Sequence, residues 1–273
     1  MASSNLFKPL AIGNITLKHR LALAPLTRFR ASDKYVPLPI TQKKEAYVAA
    51  AKNAITASFN GIKLSSANRY LIDQFLQDVS NQRDDKYGGS IKNRSRFTVE
   101  VTAAIAQAIR PKRIGVRLSP WNTFNAMKMA DPVPQFSDVI AKLGRLNLAY
   151  LHLVDPRVKG NDIIETKKKN TESLEFAYKL WKGLLLIACG FKPEIARQLV
   201  DEQYPRKKII VAFGRAFTST PDLPYRVRNR LELTEYNRDA FYKAKDPVGY
   251  IDYPFSQEFI YSLEGQAVEV VLS

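Results

Sequence analysis

The stretch GIKLSSANRYLIDQF, residues 61–75, runs through a short apolar strand and then presents two serines and an asparagine where the strand should end. Such a run, bounded by polar residues and followed by a helical pattern, fits a strand of a parallel sheet buried on both faces. Five more stretches repeat it: RLALAP (20–25), RIGVRLS (113–119), LAYLHLV (148–154), GLLLIAC (183–189) and IIVAF (209–213). Helical spacing fills the intervals. Residues 42–58 set Tyr47, Ala50, Ala51, Ala54 and Ile55 on one face, and 94–110 do the same with Phe97, Val101, Ile105, Ala108 and Ile109. Further helices are expected near 134–146 and 172–181, and one begins at Pro193, a favoured first helical position.

Alternating strands and helices call for a parallel sheet covered by helices. A doubly wound nucleotide-binding sheet would carry Gly-x-Gly-x-x-Gly after its first strand, but LALAPLTRFR follows instead. The strand ends offer polar or small residues in turn: Thr27, Ser65, Arg117, Asp155, Gly190 and Arg215. That succession suits the mouth of a (β/α)8 barrel. Only six strands are legible where such a barrel has eight. The expected architecture is therefore a TIM-barrel derivative, a single domain over residues 1–273, preceded by a hairpin turning at Gly13–Asn14.

The 273-residue chain is 45% hydrophobic, enough for a large core, and its longest apolar runs are too short for a membrane span. The N-terminal MASSNLFKPL shows no basic-then-apolar leader, so a cytoplasmic protein is expected. A single cysteine, Cys189, excludes an internal disulfide framework, and two distant histidines, His19 and His152, give no metal-ligand spacing. The net charge of +16 invites a polyanion partner. Yet the basic clusters at 166–170 and 205–208 are short and suit solvated faces, so neither nucleic acid nor membrane is expected as a partner.

The chain resembles the old yellow enzyme family of FMN-containing ene-reductases, and within it the filamentous-fungal branch that includes ergot-alkaloid pathway members. The resemblance rests on LFKPLAIGNITLKHRLALAPLTRFRA, SANRYLIDQFLQDVSNQRDDKYGGSIKNRSRF, GVRLSPW, LAYLHLV, FGRAF and NRDAFYKAKDPVGYIDYP, together spanning most of the chain. It implies FMN at a barrel mouth, NADPH as reductant and an enone or enal as substrate. Pro25 and Thr27 in APLT, Arg117 in VRLSP, and Gly214 and Arg215 in FGRAF match cofactor-binding positions. Thr27 would meet the flavin O4 region, Arg117 its N1 side, and Gly214 with Arg215 its phosphate. Cys189, where the family usually has a glycine, and Gly190 complete the phosphate side.

The family's paired histidine and asparagine, which hold the substrate oxygen, correspond to Ser65 and Asn68. Tyr70 matches the tyrosine that protonates the substrate, Tyr242 falls on the substrate side, and Ser66 reads as a cap for the following loop. Lys63 and Lys92 stand where relatives commonly carry glutamate. Between YVPLPI and TQKKEAY the family holds two strands with their helices, so the resemblance implies that strands two and three are missing. Three readings follow: an inactive relative of the ene-reductases in fungal secondary metabolism, an active FMN-dependent reductase, or a non-catalytic barrel that binds small molecules or another protein.

Overall fold

The computed structural model describes residues 4–25, 44–123, 127–156, 158–159, 162–163, 172–243 and 246–263. Two antiparallel strands, β1 (Leu10–Ile12) and β2 (Ile15–Leu17), form the expected hairpin. Gly13, at φ +59°, makes its turn. The main sheet holds β3 (Leu21–Leu23), β4 (Ile62–Ser66), β5 (Ile114–Leu118), β6 (Tyr150–Val154), β9 (Leu184–Ala188) and β10 (Ile209–Phe213). A small antiparallel pair, β7 (Val158–Lys159) and β8 (Asp162–Ile163), lies after β6. The six strands are those expected from the sequence, all parallel, in the order β3–β10–β9–β6–β5–β4. Among the described residues the sheet is open, with β3 and β4 at its two edges.

The register sorts the side chains by parity. One face carries Ile62, Leu64, Ile114, Val116, Leu118, Leu151, Leu153, Leu185, Ile187, Ile209 and Val211, and these join the main hydrophobic core. Against that face pack α1 (Lys44–Thr56), α3 (Ile91–Ile109) and α4 (Val133–Gly144), together with α5 (Glu175–Leu180) and α6 (Pro193–Arg197). Ser90 caps α3 through its hydroxyl, which accepts from Asn93 N–H, and Phe97, Val101, Ile105 and Ile109 form the buried stripe. Ala108, expected on that stripe, is only half-buried. The stripe of α1 is shallower than expected: Ala51 is buried, whereas Ala50 is exposed at the open edge of the sheet.

The other face is the inside of the curl. Its lowest row sets Lys63, Gly115, Tyr150 and Leu184 side by side, and the next holds Ser65, Arg117, His152, Leu186 and Ile210. The β1–β2 hairpin closes the amino-terminal end of this face, where Leu10 clusters with Leu184 and Ile210. Burying these apolar residues under the hairpin removes them from water. No helix among the described residues is long and apolar enough to cross a membrane.

Two predictions come from the inner face. A Cβ on Gly115 would lie 2.1 Å from the Tyr150 ring, so the aromatic occupies the space that any side chain there would need. Gly115→Ala should cost about 1–3 kcal/mol in urea unfolding, as overpacking does, and adding Tyr150→Leu should recover part of it. His152 is fully buried and neither ring nitrogen has a hydrogen-bond partner. Burial, followed by Arg117 and Lys63, holds its pKa well below the ordinary value. Below about pH 6.5 the unfolded chain then binds a proton that the folded protein refuses, so stability falls as pH falls through that value. Asp73, raised by burial to about 6, works in the opposite sense over much of the same range. His152→Leu isolates the histidine: between about pH 7 and pH 6 the wild-type urea midpoint should fall relative to that of the variant.

Candidate functional site

Because all six strands run parallel, their carboxyl ends gather at one rim of the sheet. Ser65 and Ser66 end β4, Arg117 and Ser119 lie at the end of β5, and Asp155 follows β6. Cys189 and Gly190 follow β9, Gly214 and Arg215 follow β10, and Pro25 comes two residues after β3. The Ala24 N–H donates to Phe213 carbonyl at 2.8 Å, extending the β3–β10 pairing to the rim. Thr27 lies outside the described residues.

Ser65 pairs in register with Arg117, and Arg117 with His152, so the three side chains share the inner face. The Arg117 Nε is buried without a hydrogen-bond partner. Burial lowers the guanidinium's pKa, with Cys189 and Tyr70 acting in the opposite sense. A buried guanidinium that keeps an unused donor calls for an anionic or carbonyl-rich group. The reduced isoalloxazine ring, with its negative charge near N1, is such a group, so the residues present fit a flavin.

Asn68 is held from the neighbouring strand end. Its backbone N–H donates to Ser119 Oγ at 2.9 Å, and its side-chain oxygen accepts from Asn122 Nδ2 at 2.5 Å. The asparagine and Arg69 both adopt left-handed backbone, at φ +56° and +64°. With its oxygen engaged, Asn68 has its amide NH2 left to donate to a ligand. Tyr70 precedes the first residue of α2 (Leu71–Leu76) and is 56% exposed, free to meet a small molecule. Ser66 does not cap the loop as expected: its hydroxyl is buried and unpartnered, turned to the face opposite Ser65.

Cys189 has φ +89° and Gly190 φ +70°, a left-handed pair in which the first position would suit glycine better. Gly214 precedes α7 (Arg215–Ser219), and its carbonyl accepts from Phe217 and Thr218 N–H at 3.0 and 3.2 Å. Arg215 is half-buried as the first residue of that helix. Tyr242 is exposed after the turn Arg238–Ala240, and the sheet register does not join it to the others. Sequence reasoning overlooked Ser119 and Asn122 as supports for Asn68, although both lie in the RLSPWN stretch around β5. It noted Lys63 only as a departure from glutamate and did not place it in the site, although it shares the inner face with Ser65. Both line a groove of about 460 Å³ along the open edge of β4, with Tyr47, Ala51, Tyr70 and Leu71 among the other walls.

Residues 37–234 match the model of the NADH:flavin oxidoreductase / NADH oxidase family. The chain is 43% identical over 223 residues to the chanoclavine-I aldehyde reductase fgaOx3 of Penicillium roqueforti, covering 81% of this chain and 59% of that protein. It is likewise 43% identical over 228 residues to the "Probable inactive dehydrogenase easA" of Claviceps purpurea, covering 81% of this chain and 60% of that one. The chain thus spans less than two thirds of both. With the NADP-dependent oxidoreductase lnbE of Aspergillus flavus it shares 33% identity across 94% of this chain and 98% of the relative. That alignment runs over 368 positions, more than this chain's 273 residues, and so bridges gaps. The crystal structure of Old Yellow Enzyme from Pichia sp. AKU4542 superposes with a TM-score of 0.82 at 26% identity, covering 94% of this chain and 95% of that one. A parallel sheet of barrel type, a buried arginine fit for a flavin and a family match over most of its length agree: the chain belongs to the NADH:flavin oxidoreductase / NADH oxidase family, alongside old yellow enzyme.

Proposed function

We propose that this chain is a single-domain, shortened and catalytically silent relative of the NADPH-dependent ene-reductases of fungal alkaloid metabolism, lacking strands two and three of the complete barrel. The observation that carries the reading is the place of Ser65. It stands in register with Arg117, where the resemblance expects the histidine that shares the substrate oxygen with Asn68. A serine hydroxyl gives one donor from a shorter side chain, so the paired clamp is weakened. Support for the shortening comes from β4, which has one strand partner among the described residues, and from the gapped alignment with lnbE. The relatives divide in the same way, fgaOx3 being named a reductase and easA a "Probable inactive dehydrogenase".

FMN, when bound, supplies the hydride, drawn from NADPH, that reduces the alkene of an α,β-unsaturated aldehyde or ketone. In this reading Arg117 would hold the N1 side of the ring, with Pro25 and Thr27 in the cofactor roles that the resemblance assigns them. Gly190, Gly214 and Arg215 would hold the phosphate, with the Cys189 side chain crowding that grip. Asn68 donates its amide to the substrate oxygen beside the Ser65 hydroxyl, Tyr70 carries the proton for the alkene carbon, and Tyr242 covers the substrate. The second reading, an active reductase, is favoured by Asn68, which is held in donor orientation, and by Arg117.

Two measurements test the proposal. Purified protein should carry FMN well below one per chain after dialysis, because the N1 and phosphate contacts remain while one wall of the flavin site is lost. Full occupancy in the absorbance spectrum sinks that account. NADPH-driven reduction of an enal should be at most trace, and Ser65→His alone should not restore it. Loss of one oxyanion donor costs about 3 kcal/mol, roughly a hundredfold. A misplaced cofactor wall costs about another hundredfold, not necessarily multiplicative. If Ser65→His by itself brings turnover to about 1–10 per second, the histidine alone was missing and the shortening is not what silences the chain.

A further inference from the structure

We propose that the Lys63 side-chain amine captures an aldehyde ligand as an imine in the groove along the open edge of β4. The inference rests on the reading above only for the chemical class of the ligand, an α,β-unsaturated aldehyde. Lys63 lies in the groove on the same strand face as Ser65, with Tyr47 and Ala51 from α1 and Tyr70 and Leu71 from the start of α2 around it. The walls are mostly apolar, which suits the hydrocarbon of an enal, and none of the described residues lining them is a carboxylate.

The amine has no assigned partner. Lys63 makes no salt bridge or hydrogen bond with any described residue, and its nearest charged influence is another cation, Arg117. Burial first, then Arg117, brings its pKa down to about 8. A lysine so placed is partly unprotonated near neutral pH and is a competent nucleophile, whereas a surface lysine is not. For stability alone an unpaired, half-buried cation beside Arg117 is a poor choice. The pairing makes chemical sense if the amine works in its neutral form.

The step needs no oxidant or reductant. The Lys63 Nζ lone pair attacks the aldehyde carbon, the C–N bond forms, and a proton passes from nitrogen to the former carbonyl oxygen. Loss of that hydroxyl as water, with the second nitrogen proton, leaves the C=N bond. The Ser65 hydroxyl and Tyr70 phenol line the same groove and can relay these protons. Beside Arg117 the neutral imine is favoured over its protonated form.

The test incubates the purified protein, as isolated and without NADPH, with cinnamaldehyde at about pH 8, traps with sodium borohydride, and maps the product by mass spectrometry. The expected result is one adduct per chain on the Lys63 peptide, with the mass of the aldehyde less one oxygen, at least about tenfold above any other lysine peptide. Lys63→Met and the charge-preserving Lys63→Arg should both abolish it, with folding checked by circular dichroism. Labelling spread evenly over the lysines overturns the proposal. So does an adduct at Lys63 that keeps the aldehyde oxygen, which reports conjugate addition through the alkene. Because the readout needs neither flavin nor turnover, it separates the two ideas. Labelling together with rapid NADPH-driven turnover sinks only the silent-enzyme reading, and absent labelling with absent turnover sinks only the imine.

Discussion

Arg117 enters the inner face of the sheet because β5 pairs with β4 and β6 in a fixed parallel register, and that register is the constraint on which everything else depends. A slip of one residue would send Val116 and Leu118 inward and turn the guanidinium toward the helices, into the main apolar core. The helices hold the register in place, since Phe97, Ile105, Phe136 and Ile140 can only be buried against the strand residues of the opposite parity. The site is therefore a by-product of packing on the other side of the sheet. Its chemistry depends on residues that never touch a ligand.

The same parity explains why so much of the fold was legible. Residues such as Leu184, Leu185, Leu186 and Ile187 are apolar at successive positions, because one parity faces the helices and the other faces the hairpin plug. A continuous apolar run bounded by glycine and a polar end is a strong strand signal. Helix α3 was equally clear, having both a serine cap and a long stripe. Less visible was the wide-turn segment Gln198–Gln203, in which the expected single helix from Pro193 changes its pitch after five residues. No residue in QLVDEQ announces that change, and Leu199 and Val200 are the residues it buries.

The site was legible in part. The polar strand ends are sequence features, so Ser65, Arg117, Gly190 and Arg215 could be singled out in advance. What the strand pattern hid was how they are supported. Asn68 is held by Ser119 and Asn122, more than fifty residues on, through hydrogen bonds that no local spacing reveals. The isolation of His152 is similar: its strand reads as apolar with one polar residue, and only the register shows two cations, Lys63 and Arg117, acting on it. Ser66 illustrates the reverse error, since a serine before a loop suggests a cap, yet its parity turns it into the protein interior.

The seam between β3 and β10 has a consequence for how the protein is made. Leu21, Ala22 and Leu23 pair with Val211, Ala212 and Phe213, and Ser4 hydrogen-bonds Asp201 across a similar distance in sequence. On the ribosome, β3 emerges about 190 residues before β10, its strand partner among the described residues. A contact of such sequence separation is slow to close, and an unpaired strand is exposed to intermolecular pairing in the meantime. The β1–β2 hairpin, which needs only its own few residues, can form during that delay. Chain order thus sets a vulnerability in synthesis that the finished fold no longer displays.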